Sequence, residues 1–252
     1  MKSSPAFRQP TAPSARPPGR GHRSDRSLWI RFIGLLMACN QVQGPVQAQD
    51  GPTNATRSTI VVLGDSLAAG YGLEVEQSYP ALLQKKVDAA GLRYAVINAG
   101  VSGDTSAGGA RRIDWLLQRR VDILLLALGG NDGLRGIPVE VTRTNLQSII
   151  DRTRRKYPQA QVVIAGMQMP PNIGADYRQQ FAKLFPDLAK VNHCALVPFL
   201  LEGVGGKPEL NQPDMIHPTA AGQQIVAENV WKVLKPLLES RRRPLATPGP
   251  GR

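Results

Sequence analysis

Five apolar runs punctuate the chain, at residues 59–63, 94–98, 123–128, 162–165 and 195–197, the first of them rich in β-branched residues. They do not alternate with polar residues, and continuous apolar runs suit strands buried on both faces of a parallel sheet. Between them the pattern shifts to a helical period. Tyr79, Leu83, Val87 and Ala90 fall on one face, with Ser78 expected as the N-cap and Gly91 as the stop. Ile113, Leu116 and Leu117 mark a second helix. Leu146, Ile149, Ile150 and Thr153 mark a third, ending near Pro158, and Val226, Val230, Val233, Leu234 and Leu237 mark the last. Alternating strands and helices predict right-handed crossovers and one α/β sandwich over residues 59–240. In such folds ligands sit beyond the carboxyl ends of the strands, so the residues after each strand matter most.

The flanks are different in kind. Residues 1–27 are rich in Arg, Pro and Ser and show no periodicity. An apolar run at 32–39 follows, far shorter than the ~20 residues of a membrane span. Basic residues precede it, and Val46-Gln47-Ala48 supplies small residues where a signal peptidase reads. Residues 1–48 are therefore expected to be a basic arm plus signal peptide, with export to the periplasm or the medium. An alternative is Leu36-Met37-Ala38-Cys39 as a lipid-attachment motif that anchors Cys39. Residues 49–58 read as a linker and 241–252 as a disordered basic tail. Of two cysteines only Cys194 lies in the alternating region; it reads as a small buried hydrophobe with no disulfide partner there.

The net charge of +12 suggests nucleic acid until its distribution is considered. Residues 1–48 carry seven Lys/Arg and one Asp, and the last twelve residues carry four arginines. Only +2 remains for residues 49–240. A nucleic-acid binder keeps its basic patch on the folded part, so no nucleic-acid partner is expected. The tail suits weak contact with an anionic membrane surface, and the protein is expected to be a monomer.

The loops after the strands carry the candidate chemistry. After the first comes Gly64-Asp65-Ser66, which places a serine between a buried strand and a helix. It suits a nucleophile whose backbone N–H points into the site, and equally a helix N-cap. The string is not the G-x-S-x-G elbow. Gly103 in "SGD" suits an oxyanion donor or an ordinary turn. Asn131 in "GGND" offers a side-chain amide with two N–H groups, or is a polar turn residue. Three histidines occur, His22, His193 and His217; only His217 falls at the carboxyl rim, since His22 lies in the arm and His193 precedes a strand. Asp214 stands three residues before it, a spacing that lets a carboxylate reach the imidazole Nδ1–H and fix the tautomer. Alone, D-x-x-H is common in surface turns.

Taken together, "LGDSLAAGYG", "SGDTSAGG", "LGGNDGLRG" and "DMIHP" resemble the blocks of the SGNH/GDSL hydrolase superfamily, in its periplasmic thioesterase, lysophospholipase and arylesterase branch. The resemblance covers residues 59–238 and implies a three-layer α/β/α sandwich with a five-stranded parallel sheet of flavodoxin-like order. It implies Ser66 as nucleophile, His217 as base and Asp214 as its orienter. Ser66 N–H, Gly103 N–H and the Asn131 amide would form the oxyanion hole. The expected substrate is a small-molecule acyl ester or thioester, cleaved with no cofactor and no metal.

Substrate contacts are expected from Gly133, Leu134, Arg135, Ile137, Met167 and Pro170, with Met169, Pro171 and Ile173 adding to an adaptable apolar wall. The methionines alternatively cap the core, and Arg135 either meets an anionic head group or is solvated. Two rivals remain: a carbohydrate acetylesterase on the same fold, and a non-catalytic ligand-binding α/β domain. The latter lacks both common phosphate-loop motifs.

Overall fold

The computed structural model describes residues 57–241. The expected signal peptide, the Cys39 alternative and nearly all of the basic tail lie outside these residues. Five parallel strands form one sheet: β1 (Ser58–Gly64), β2 (Tyr94–Gly100), β3 (Ile123–Ala127), β4 (Gln161–Ala165) and β5 (Ala195–Val197). Their spatial order is β2-β1-β3-β4-β5, the flavodoxin-like order. Central β1 and β3 bury every residue of Ile60, Val61, Val62, Leu63 and Ile123, Leu124, Leu125, Leu126, as continuous apolar runs require. Edge strand β2 is only partly buried, although its run looked the same in sequence.

Among the described residues seven α-helices flank them: α1 (Ser66–Ala69), α2 (Tyr79–Ala89), α3 (Ser106–Leu116), α4 (Gly130–Leu134), α5 (Val139–Lys156), α6 (Ala175–Val191) and, after the last strand, α7 (Ala220–Ser240). The path from β1 to β2 runs in the opposite direction from every later step. Right-handed crossovers therefore put α2 on one face and α3, α5 and α6 on the other. Accordingly α2 packs on α7, and α3 and α6 both pack on α5, giving three layers. The reversal falls between β1 and β3, whose carboxyl ends open the crevice where such folds bind ligands.

Local expectations need three adjustments. Ser78 stands at the cap position before α2, but its hydroxyl donates to the Val75 carbonyl at 2.7 Å rather than capping the helix. The Tyr79 N–H is instead taken by the buried Gln223 side chain of α7 at 2.9 Å, a partner 144 residues away. Helix α6, whose periodicity the sequence reading did not isolate, buries Phe181, Leu184, Phe185 and Leu188 despite Pro186 in its interior. At the carboxyl end, Arg241 belongs to the fold: its guanidinium donates to the carbonyls of Asp122 at 2.8 Å and Gln159 at 2.6 Å.

Helix α1 lies directly on the end of β2. A Cβ on Gly100 would stand 2.4 Å from the Ala69 amide nitrogen and 2.8 Å from the Ala68 carbonyl carbon. Backbone cannot rotate aside as a side chain can. Gly100→Ala should therefore cost about 1–3 kcal/mol, the usual range for overpacking, read as a lowered urea midpoint.

Candidate active site

Ser66 is the first residue of α1 and is nearly buried. Asp65, not Ser66, holds the capping position, and its Oδ1 accepts the Leu67 N–H at 3.0 Å. The Ser66 hydroxyl is thus spared from capping. Helix α1 stops after one turn because Gly70 adopts a left-handed conformation with φ of 77°.

The hydroxyl is engaged from across the molecule. His217 Nε2 lies 2.8 Å from Ser66 Oγ, and His217 Nδ1 lies 2.6 Å from Asp214 Oδ2. The other Asp214 oxygen accepts the backbone N–H groups of Ile216 at 2.9 Å and His217 at 3.0 Å. These bonds, led by the His217 amide and ring, push the Asp214 carboxyl down to about 2. It stays anionic through neutral and mildly acidic pH, so it holds the Nδ1 proton and leaves Nε2 free to face the serine.

The loop bearing this pair is short and exposed, and Met215 within it has a φ of 59°. Gln212 braces it. Its N–H donates to the His217 carbonyl at 2.7 Å, and its side-chain amide donates to the carbonyls of Tyr71 at 2.7 Å and Pro218 at 3.1 Å. Tyr71 in turn covers the imidazole, ring centroids 4.5 Å apart. Sequence reasoning missed both residues; Tyr71 is visible only as an aromatic just after the serine, and Gln212 carries no local signal.

Gly103 has a φ of 79°, a left-handed turn position that explains the glycine. Its carbonyl accepts from Arg135 Nη2 at 3.1 Å, which pins the β2–α3 loop to the β3–α5 segment. Asn131 opens toward the same place. Its amide donates to the Asp104 carbonyl at 2.9 Å and approaches Asp65 Oδ2 at 3.4 Å. Asn131, Gly103 and Ser66 are therefore neighbours through Asp65 and Asp104, although they come from three loops.

Two buried carboxylates hold that convergence. Asp132 accepts from Ser106 N–H at 2.8 Å, Ser106 Oγ at 2.5 Å and Thr142 Oγ1 at 3.3 Å, so it ties α3 and α5 to the turn that presents Asn131. Asp65 has fewer donors, and burial pushes its carboxyl up to about 6 against the pull of the Leu67 amide and of His217. Sequence reasoning passed over both.

The residues expected to line the substrate differ in exposure. Gly133, Met167 and Met169 are buried, and a Cβ on Gly133 would stand 2.2 Å from Met169 Sδ. Both methionines pack against the core and expose less than a tenth of their surface. Leu134, Arg135 and Pro170 are exposed, and Ile137 is half-buried with its carbonyl accepting from Tyr177 at 2.6 Å. His193 is exposed ahead of β5, away from the rim that carries Ser66.

A flavodoxin-like parallel sheet with a serine, histidine and aspartate linked at its carboxyl rim defines a class, the hydrolases of acyl compounds. Comparison with known proteins narrows it. Residues 62–225 match the GDSL-like Lipase/Acylhydrolase family. Esterase TesA of Pseudomonas aeruginosa is 44% identical over 185 residues, covering 73% of this chain and 91% of that protein. Thioesterase 1/protease 1/lysophospholipase L1 of Escherichia coli is 38% identical over 73% of this chain and 86% of its own length. The crystal structure of TesA superposes with a TM-score of 0.69 over 71% of this chain and 99% of that one. That of esterase EstA from Pseudoalteromonas, inhibited by monoethylphosphonate, gives 0.68 at 36% identity over 72% of this chain and 99% of that one. The chain belongs to the GDSL-like lipase/acylhydrolase family and is an ester hydrolase.

The Asp65 carboxylate yields a stability prediction whose sign follows from its raised value. The native state binds a proton that the unfolded chain, titrating near 4, releases. Stability from this group is therefore lowest above pH 6 and rises as pH falls from 6 toward 4. Between pH 7.5 and 5 the wild type should gain about 1 kcal/mol relative to Asp65→Asn in urea denaturation. Equal changes in the two proteins would show that Asp65 does not titrate there.

Proposed function

We propose that Ser66 is the nucleophile of a serine esterase and thioesterase, with His217 as general base and Asp214 as the group that orients it. The reading rests on the unbroken chain of hydrogen bonds from Ser66 Oγ through both imidazole nitrogens to Asp214. His217 Nε2 takes the hydroxyl proton as Oγ attacks the acyl carbonyl, and the Nδ1–H bond to Asp214 stabilises the imidazolium that forms. The tetrahedral oxyanion is received by the Ser66 and Gly103 N–H groups and the Asn131 amide. The imidazolium then protonates the leaving alcohol or thiol, and an acyl-Ser66 remains. Water deprotonated by His217 attacks this ester, and the carboxylic acid leaves as Oγ regains its proton.

The relatives' names include esterase, arylesterase, thioesterase and lysophospholipase, and we infer the same breadth of acyl substrates here. An apolar surround supports it. Tyr71, Val75, Val101, Leu134, Met215 and Ile216 are all exposed, and all lie on or beside the loops that carry the site. Such a cluster suits an acyl or aryl group that is itself poorly soluble. Export, read from residues 28–48, favours lysophospholipids and aryl or short-chain esters over cytosolic thioesters. Among the described residues no helix is long and apolar enough to cross a membrane.

A fluorophosphonate probe should label Ser66 and fail on Ser66→Ala; labelling elsewhere would overturn the assignment. With a p-nitrophenyl ester, Asn131→Ala should lose about 10²–10³-fold in kcat, the usual cost of one oxyanion donor. An unchanged rate removes Asn131 from the mechanism. A series of p-nitrophenyl esters of increasing length, run beside lysophospholipid, reads the acyl preference directly.

A further inference from the structure

We propose that the outer face of α3 and α5, at the helix ends remote from Ser66, is a docking surface for an anionic lipid bilayer. Charge is segregated within the folded domain. Residues 111–156 carry ten Lys/Arg against five Asp/Glu, whereas the other described residues carry eleven against twelve. The whole positive excess of the domain thus belongs to one quarter of it.

The carboxylates of that segment are already engaged. Asp114 pairs with Arg152, Asp122 with Arg120 and Glu140 with Arg143. Asp151 accepts from Gln147 at 2.7 Å, and Asp132 is buried in its own network. Arg111, Arg119, Arg155 and Lys156 are exposed with no carboxylate within ion-pair distance among the described residues. Arg155 stands between two grooves. One, of about 510 Å³, runs between α5 and α6 past Arg143 and Arg152. The other, of about 390 Å³, runs between α3 and α5 past Arg152 and Lys156.

Trp115 is what makes the partner a bilayer rather than any polyanion. It is 62% exposed on the outer side of α3, with the Arg119 guanidinium 5.9 Å above its ring. A large amphipathic ring standing out of a cationic field suits the headgroup region, where tryptophan is at home beside phosphates bound by arginine. Each basic side chain near an anionic leaflet adds to the attraction. Arg241 is anchored on Asp122 and Gln159, at the amino-terminal rim of β3 and β4. The next two residues in sequence are Arg242 and Arg243, which add further positive charge to the chain. Helices that follow parallel strands return to the amino-terminal rim. Docking through their carboxyl ends therefore leaves the apolar mouth at Ser66 directed away from the bilayer.

The test is sedimentation of the full chain with vesicles of phosphatidylcholine, with and without phosphatidylglycerol, at low and high salt. Binding is expected only to the anionic vesicles and should weaken steeply with salt. Arg119→Glu/Arg155→Glu/Lys156→Glu should weaken partitioning at least about 10-fold. The milder Arg155→Gln/Lys156→Gln should weaken it less. Trp115→Phe should remove the blue shift of tryptophan emission that accompanies binding. Undiminished binding of the charge-reversed protein, no binding to anionic vesicles, or patch-dependent binding to duplex DNA that exceeds vesicle binding would each overturn the proposal. Hydrolysis of a soluble ester at the wild-type rate by the charge-reversed protein shows it folded, and separates failure of this surface from failure of the hydrolase assignment.

Discussion

The hydrogen bond between His217 and Ser66 spans 151 residues of chain, and nothing local to either residue creates it. It depends on where the sheet puts two loops. Ser66 follows the central strand β1, and the Asp214–His217 loop leads into α7, which packs on α2 on one face of the sheet. Gln223, one turn into α7, fixes that approach: it accepts from Tyr79 at 2.9 Å and donates to the Leu67 carbonyl at 3.2 Å. The same side chain therefore holds α7 against both the serine's helix and its neighbour. What remains exposed is the loop itself, kept in place by Gln212 and by the antiparallel bridge between Asn211 and Pro218.

Three aspartates around the site illustrate how differently one residue type is used. Asp214 is half-exposed and surrounded by donors, which makes it a permanent anion beside the imidazole. Asp132 is fully buried but receives three hydrogen bonds and acts as a junction of three helices. Asp65 is buried with fewer donors, so desolvation dominates. Number of donors, not depth alone, separates these roles.

The surface is divided as sharply as the interior. Among the described residues, six of the nine large exposed apolar side chains lie on or beside the loops at the mouth of the site, while the positive excess lies on the outer face of α3 and α5, where Trp115 stands among it. A parallel α/β sheet makes such a division easy, because every loop at one rim is free to specialise while the helices carry a separate outer face.

All five strands and four of the helices could be read from apolar periodicity, because burial imposes the pattern on each element separately. The class of chemistry was legible too, since Ser66, Gly103, Asn131, Asp214 and His217 stand in distinctive short strings just past those strands. The groups that make the site work as one were not: Gln212, Gln223 and Asp132 each act through at least one partner 26 or more residues away. The placing of Met169 was equally hidden, because it looks like any solvent-facing methionine until Gly133 is seen packed against its sulfur. By itself the chain determined its elements, their order and its reactive residue types, for these follow from local pattern. Only the folded molecule decided which polar groups meet and which apolar ones face water, because both depend on distances between segments that sequence separation does not encode.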